Sequence, residues 1–157
     1  MTDGLRPVHD RRSVLAGVTA AIAGALCSGG PARAQSTEAP VPSEIWRGQL
    51  GGGGEKRIET LADAAAWENA WRRIDRPPPA AFDAARHRGL FASQGQKPTG
   101  GFRVEVVSAL REPNFVRVIL RDAAPAPDMI VTQALAEPWA ILLLETVGLS
   151  IEAGWAP

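Results

Sequence analysis

The stretch Trp139-Ala140-Ile141-Leu142-Leu143-Leu144 is a nearly continuous apolar run close to the carboxyl end of the chain. A strand with one face in water alternates apolar and polar residues, whereas this run contains no polar position. We therefore expect residues 139–144 to form a strand in the middle of a sheet.

Two segments before this run show the alternation that is typical of half-buried strands. Apolar and charged residues alternate through 102–106, and the apolar residues at 116, 118 and 120 alternate with Arg117 and Arg121. Residues 110–114 between the two segments supply turn formers. This pattern predicts an antiparallel hairpin.

Shorter strand signals occur elsewhere in the sequence. Residues 45–50 and 57–59 alternate in character on either side of four consecutive glycines, which we expect to form a flexible loop. The glycine run lacks the Gly-Lys-Ser/Thr ending of a phosphate-binding loop, so we do not interpret it as one. Residues 89–92 and 129–132 are two further predicted strands.

One helix is predicted over residues 61–74. Thr60 and Asp63 have the spacing of a capping box, and prolines 77–79 prevent the helix from continuing. The apolar stripe of the predicted helix has a spacing of three to four residues and consists of Ala64, Trp67, Trp71 and Ile74. We interpret the two indoles as core groups that attach the helix to a sheet and not as a platform for a ligand.

One helix with six or seven short strands, connected by hairpins, predicts an α+β fold. In this fold the amphipathic helix packs on an antiparallel-rich sheet. We expect a single domain of this type over residues 44–157.

The first 34 residues have the pattern of an export signal. Arg11-Arg12 precede a mildly apolar run over 14–26, and the run is followed by the small-residue site Ala32-Arg33-Ala34. The paired arginines favour the twin-arginine route and a periplasmic location. We expect cleavage after Ala34, no stable membrane insertion afterwards, and a disordered spacer over residues 35–43.

Composition excludes several classes of chemistry for the exported part. The chain's one cysteine, Cys27, lies in the leader after Leu26, which is a poor context for lipid attachment. From Gln35 onward, thirteen Lys and Arg residues face fifteen Asp and Glu residues, so no basic field exists for nucleic acid. No metal motif or cofactor motif is present, and we expect neither type of ligand.

His87 is the only imidazole of the exported part and lies in the basic run Arg86-His87-Arg88. A hydrolase would need it as the base for Ser93 or Thr99, and neither residue stands in a nucleophile motif. We interpret His87 as a solvated residue, and a small hydrolase using His87 is the least favoured alternative.

Three segments in order, residues 66–71, 95–102 and 132–139, resemble the C-terminal domain of PrcB proteins. The resemblance extends roughly over residues 56–151. It implies a subunit that accompanies a bacterial extracellular serine protease without supplying its catalytic groups. The expected partner is therefore a protein, and a protease is the implied class.

The same resemblance indicates candidate partner-binding residues. They belong to two family motifs and are Thr99, Gly100, Gly101, Phe102, Pro138 and Trp139. The family usually has tyrosine where this chain has Phe102, so the phenolic hydroxyl is missing. Consecutive glycines also suit a tight entry into a strand, and this structural explanation of Gly100-Gly101 stays open beside the functional one.

The sequence thus predicts a non-catalytic periplasmic interaction module that binds a protein through an exposed loop or a sheet edge. An alternative hypothesis is a protease inhibitor whose Gly-rich loop enters the protease cleft. Catalytic, cofactor and metal residues are not predicted.

Overall fold

The computed structural model describes residues 39–41 and 43–157. In this part the chain forms one helix and eight strands. In chain order they are β1 (Ala39–Pro40), β2 (Ser43–Gly48), β3 (Lys56–Leu61), α1 (Ala64–Arg73), β4 (His87–Gln94), β5 (Arg103–Arg111), β6 (Phe115–Ala123), β7 (Trp139–Glu145) and β8 (Ser150–Trp155).

The strands form two four-stranded sheets stacked in layers. The central sheet has the order β2-β7-β4-β3, and the outer sheet has the order β1-β5-β6-β8. All pairs are antiparallel except β6 with β8, which is parallel. The α+β class and the antiparallel character are confirmed, but the expectation of one sheet with six or seven strands is wrong. Apolar residues on facing sides of the two sheets bury each other, which a single sheet under one helix could not achieve.

Strand β7 lies between β2 and β4, as its apolar run predicts. Its odd-numbered residues Trp139, Ile141 and Leu143 belong to the cluster under α1. Its even-numbered residues belong to the cluster between the sheets and are Ala140, Leu142 and Leu144. The strand is buried on both faces, and this explains why no polar residue interrupts it.

Helix α1 begins later than the sequence predicts. Thr60 and Leu61 belong to β3, where they pair with Leu90 and Gly89 of β4. The N-cap is Asp63, whose Oδ1 accepts a hydrogen bond from the Ala66 N–H at 2.8 Å. Sheet pairing therefore keeps residues 60–61 extended, and the cap moves to the first carboxylate beyond the strand. No helix in the described residues is long and apolar enough to cross a bilayer.

The indoles of α1 are core groups, as predicted. Trp67 and Trp71 are 1% and 3% exposed. Both contact the ring of Trp46 on β2 edge-to-face, with ring centres 5.8 and 5.4 Å apart. The Trp67 indole N–H also donates to the Ala80 carbonyl oxygen at 3.2 Å. These contacts hold the helix on the central sheet.

The hairpin predicted from alternation is β5 with β6, and it is confirmed with a bulge between Val106 and Ser108. Strand structure begins before Ile45, inside the segment expected to be a spacer. β1 pairs with β5, and the Val41 N–H donates to the Ala109 carbonyl oxygen at 3.0 Å. Val41 is buried in the core between the sheets, and its burial stabilises this early strand.

The strand predicted at residues 129–132 is wrong, and β8 was missed. Residues 129–132 form no ladder in the described structure, and Ile130 is fully exposed. β8 pairs in parallel with β6 and buries Ile151 and Trp155 only in part. Apolar content alone does not make a strand, because a strand also needs a partner strand that pairs with its backbone.

Replacing Trp71 by alanine tests the helix-on-sheet packing. Trp71→Ala leaves a cavity between α1 and β2, so we expect a loss of about 3–5 kcal/mol in unfolding free energy and poor soluble yield. Leu50→Ala, at a side chain 71% exposed, is the control and should change stability by less than about 0.5 kcal/mol. Equal urea midpoints for the two variants would refute this packing.

The turn between β7 and β8 contains a strained valine. The Leu149 N–H donates to the Thr146 carbonyl oxygen at 3.2 Å, and the two central residues, Val147 and Gly148, have φ of 47° and 83°. A β-branched residue is unfavourable at this first position, where asparagine is common. We expect Val147→Asn to raise the unfolding free energy by about 1 kcal/mol, whereas Val147→Thr should give no gain. A thermal melt in which Val147→Asn is no more stable than wild type would contradict the assignment.

Candidate functional site

Three loops meet beside the start of β7, and we call them the three-loop region. They are residues 49–54, 95–102 and 129–138. Backbone hydrogen bonds join the third loop to the first, because the Glu137 N–H donates to the Gln49 carbonyl oxygen at 2.8 Å. Lys97 and Ala136 form a two-way backbone pair, with N···O distances of 2.7 and 2.9 Å. The Gly100 N–H donates to the Thr132 carbonyl oxygen at 2.9 Å.

The three loops enclose an apolar groove with a volume of about 280 Å³. Its lining combines apolar side chains with bare backbone and consists of Gln49, Leu50, Gly100, Gly101, Thr132, Ala134, Leu135 and Ala136. Leu50 and Leu135 are 71% and 61% exposed, so two large apolar side chains stand in water beside the groove. We call this feature the apolar groove.

Exposed apolar side chains concentrate in this region. Six large apolar side chains are exposed in the described part of the chain, and four of them lie in the three loops. These four are Leu50, Met129, Ile130 and Leu135. Such a concentration on a surface is typical of an interaction site, whereas single exposed apolar residues need no explanation.

Gly100 and Gly101, the two glycines of the Thr99–Phe102 motif, form part of the groove wall. Gly100 is buried, and Gly101 has φ of 87°. A Cβ on Gly101 would lie 2.7 Å from Val131 Cγ1, so glycine is required there for steric reasons as well. Thr99 and Phe102 are half-buried, and the Lys97 ammonium lies 5.4 Å from the centre of the Phe102 ring. The structural explanation of the glycines therefore holds for Gly101, and both glycines also line the groove.

Pro138 and Trp139 do not offer a surface to a partner, contrary to their place among the candidate binding residues. Pro138 is buried, and Trp139 is 1% exposed because its indole packs under α1. The indole N–H donates to the Leu50 carbonyl oxygen at 2.7 Å. Trp139 therefore supports the first loop from below, whereas the Pro138 carbonyl oxygen accepts a hydrogen bond from the Gln94 N–H of β4 at 3.0 Å.

Two N–H groups of the glycine run at 51–54 donate hydrogen bonds to Glu137. The run is therefore held in place, whereas we expected a flexible loop. The Gly52 N–H donates to the Glu137 carbonyl oxygen and the Gly53 N–H donates to its Oε2, both at 3.2 Å. A Cβ on Gly52 would lie 2.5 Å from that carbonyl oxygen. Gly52 therefore allows two backbones to approach closely and serves packing.

The residues considered for hydrolysis are not assembled into a site. His87 and Ser93 stand six positions apart on β4, a separation of about 20 Å along an extended strand. Ser93 is fully buried, and its Oγ accepts a hydrogen bond from the Gly95 N–H at 3.0 Å. His87 therefore has no access to the Ser93 hydroxyl. The described residues also contain no group of three or more His, Cys, Asp or Glu side chains suited to a metal ion.

Charge on the outer sheet is neutralised locally. Glu105 pairs with Arg103 and Arg121, each with an N···O distance of 2.6 Å. The hydrogen bond from Arg121, then that from Arg103, lowers the pKa of the Glu105 carboxyl below its ordinary value. This carboxylate is therefore ionised at neutral pH and engaged outside the three-loop region.

Residues 90–145 match the family model described as PrcB C-terminal. This segment is therefore similar to the PrcB C-terminal family. The resemblance predicted from the sequence is thereby confirmed, over a narrower range than 56–151. The PrcB segment extends from Leu90 on β4 to Glu145 at the end of β7, so it contains the second and third loops of the groove. No curated protein and no solved structure matched the chain.

Sequence reasoning missed Leu50, Leu135 and Lys97 as site residues. Leu50 was interpreted as the end of a strand, and Leu135 stands in a stretch without helical or strand period. An apolar residue in a segment without helical or strand period has no predicted core position. That feature is the sequence signal that could have indicated these exposed leucines. The segments that resemble PrcB proteins contain Lys97 and Leu135, but the candidate binding residues taken from them were Gly100-Gly101 and not these two. Leu50 lies outside those segments.

The two motif glycines should differ in their tolerance of a side chain. Gly101→Ala forces an unfavourable φ and a clash with Val131, so we expect a loss of at least about 1–2 kcal/mol in unfolding free energy. Gly100→Ala places its Cβ 3.4 Å from Thr132 Cβ and should change stability much less. Denaturant titration of both variants measures this difference, and equal losses would contradict the assigned role of Gly101.

Proposed function

We propose that this protein is an exported, non-catalytic interaction module that associates with a protease-type partner through the three-loop region. The observation that carries the proposal is the apolar groove with exposed leucines beside it. Solvent-exposed apolar area of this kind is unfavourable in isolation and becomes favourable when a partner covers it.

The family supports the class of partner. The groove's second and third loops lie inside the PrcB C-terminal segment, and that family is named for a subunit of a protease complex. Fold membership alone does not transfer a partner, so the proposal depends on the groove as the contact surface. The leader at residues 1–34 lies outside the described residues, and periplasmic location is part of the proposal.

The geometry favours a partner segment that enters the groove over a loop that enters a protease cleft. An inhibitory loop must project its backbone into the enzyme. Here Gly100 is buried, and its N–H is hydrogen-bonded to Thr132. Gly101 packs against Val131 and Pro125. The Gly-rich loop therefore packs against the domain and does not project into solvent. This arrangement gives no support to the inhibitor hypothesis.

Site-specific photo-crosslinking in the native periplasm tests the proposal. A photoreactive phenylalanine analogue replaces Leu50 or Leu135 in separate variants, and a third variant carries it at Val107. Val107 is the control because it is 53% exposed but lies on β5, outside the three-loop region. We expect Leu50 and Leu135 to give the same crosslinked protein, identified by mass spectrometry as a protease or a component of its complex.

Two results would refute the proposed function. One is the absence of any crosslinked product from both groove positions. The other is an identical product from Val107, because contact through the opposite sheet would then explain the association. Each variant must first accumulate at wild-type level. We expect this because all three positions are exposed, and substitutions at exposed positions change stability little.

A further inference from the structure

The size of the apolar groove limits what it can hold. Its volume is about 280 Å³. A dry protein cavity of about 150 Å³ accepts a benzene molecule, while sites for drug-sized ligands begin at about 300 Å³. The groove therefore fits one large apolar side chain and is small for a free organic ligand.

The groove wall is suited to a side chain that enters from an extended backbone. Leu50, Leu135 and Ala136 supply apolar surface, and Gly100-Gly101 contribute backbone without side chains to the lining. Bare backbone allows another chain to approach closely. A buried apolar anchor in a pocket is also the usual energetic centre of a protein interface.

The charge beside the groove is positive. The backbone pair with Ala136 places Lys97 next to the groove wall, and its ammonium lies over the Phe102 ring. Among the described residues, no carboxylate forms an ion pair with Lys97. The carboxylate of Glu137 accepts the Gly53 N–H instead. Lys97 is therefore available to a negative group brought by a partner.

We infer that the apolar groove binds an extended partner segment in which one large apolar side chain stands next to an acidic residue. The apolar side chain fills the groove, and the carboxylate pairs with Lys97. This inference rests on the proposed function and specifies the chemistry of the segment that the protein binds.

Amide-shift titration of the isotope-labelled protein tests the inference with three blocked peptides. They are acetyl-Gly-Phe-Glu-Gly-amide, the matched peptide with Lys in place of Glu, and the matched peptide with Ala in place of Phe. We expect the Phe-Glu peptide to shift the amides of Leu50, Ala134 and Leu135. The Phe-Lys peptide should bind about two- to fivefold more weakly, because an exposed ion pair contributes modestly. The Ala-Glu peptide should give no shift at the groove.

Charge reversal provides the control for the ion pair. Lys97→Glu should invert the preference, so that the Phe-Lys peptide binds more tightly than the Phe-Glu peptide. Arg72→Glu, on the exposed side of α1, makes the same change in net charge and should leave the preference unchanged. Leu135→Asp should abolish the groove shifts while the remaining spectrum stays that of the folded protein.

Equal binding of the three peptides, shifts confined to other surfaces, or an unchanged preference in Lys97→Glu would overturn the inference. Its failure is distinct from failure of the proposed function. If Leu135 gives crosslinks but the protein does not discriminate among the peptides, the proposed interface is supported and this ligand chemistry is rejected. Peptide discrimination without crosslinks in the periplasm would support the ligand chemistry and reject the protease-associated role.

Discussion

Strand β7 is removed from water on both faces, because α1 covers one side and the outer sheet covers the other. Each fully buried Leu, Ile or Val side chain contributes about 1.5–3 kcal/mol relative to exposure. Neither layer alone could bury the whole strand, so the helix, the central sheet and the outer sheet stabilise one another. This mutual dependence is the reason why the tryptophans of α1 matter to the entire domain.

The groove depends on the same buried strand. β7 begins at Trp139, whose indole supports the loop that carries Leu50, and Glu137 just before it anchors the glycine run. Loops tied to a rigid core in this way hold their surface side chains in a constant arrangement. The exposed leucines of the groove consequently lie on loops that are fixed to the core.

The two broad surfaces of the domain differ in character. The solvent face of the outer sheet carries paired charges such as Arg103, Glu105 and Arg121, which satisfy one another. The three-loop region carries unpaired apolar side chains and the free ammonium of Lys97 among the described residues. A surface that already satisfies its own charges gains little from a partner, whereas the groove gains both apolar burial and a counter-charge.

Sequence pattern alone determined the elements whose period is strong. Alternation over 102–121 specified the β5–β6 hairpin, three-to-four spacing specified a helix around Trp67 and Trp71, and the unbroken run at 139–144 specified a buried strand. Only the tertiary structure decided that two sheets stack, that residues 129–132 form a loop, and that Leu50 and Leu135 line the same groove. Local periodicity indicates which face of a helix or strand is buried. It does not indicate which other element covers that face, because the covering element is determined by contacts between residues far apart in sequence.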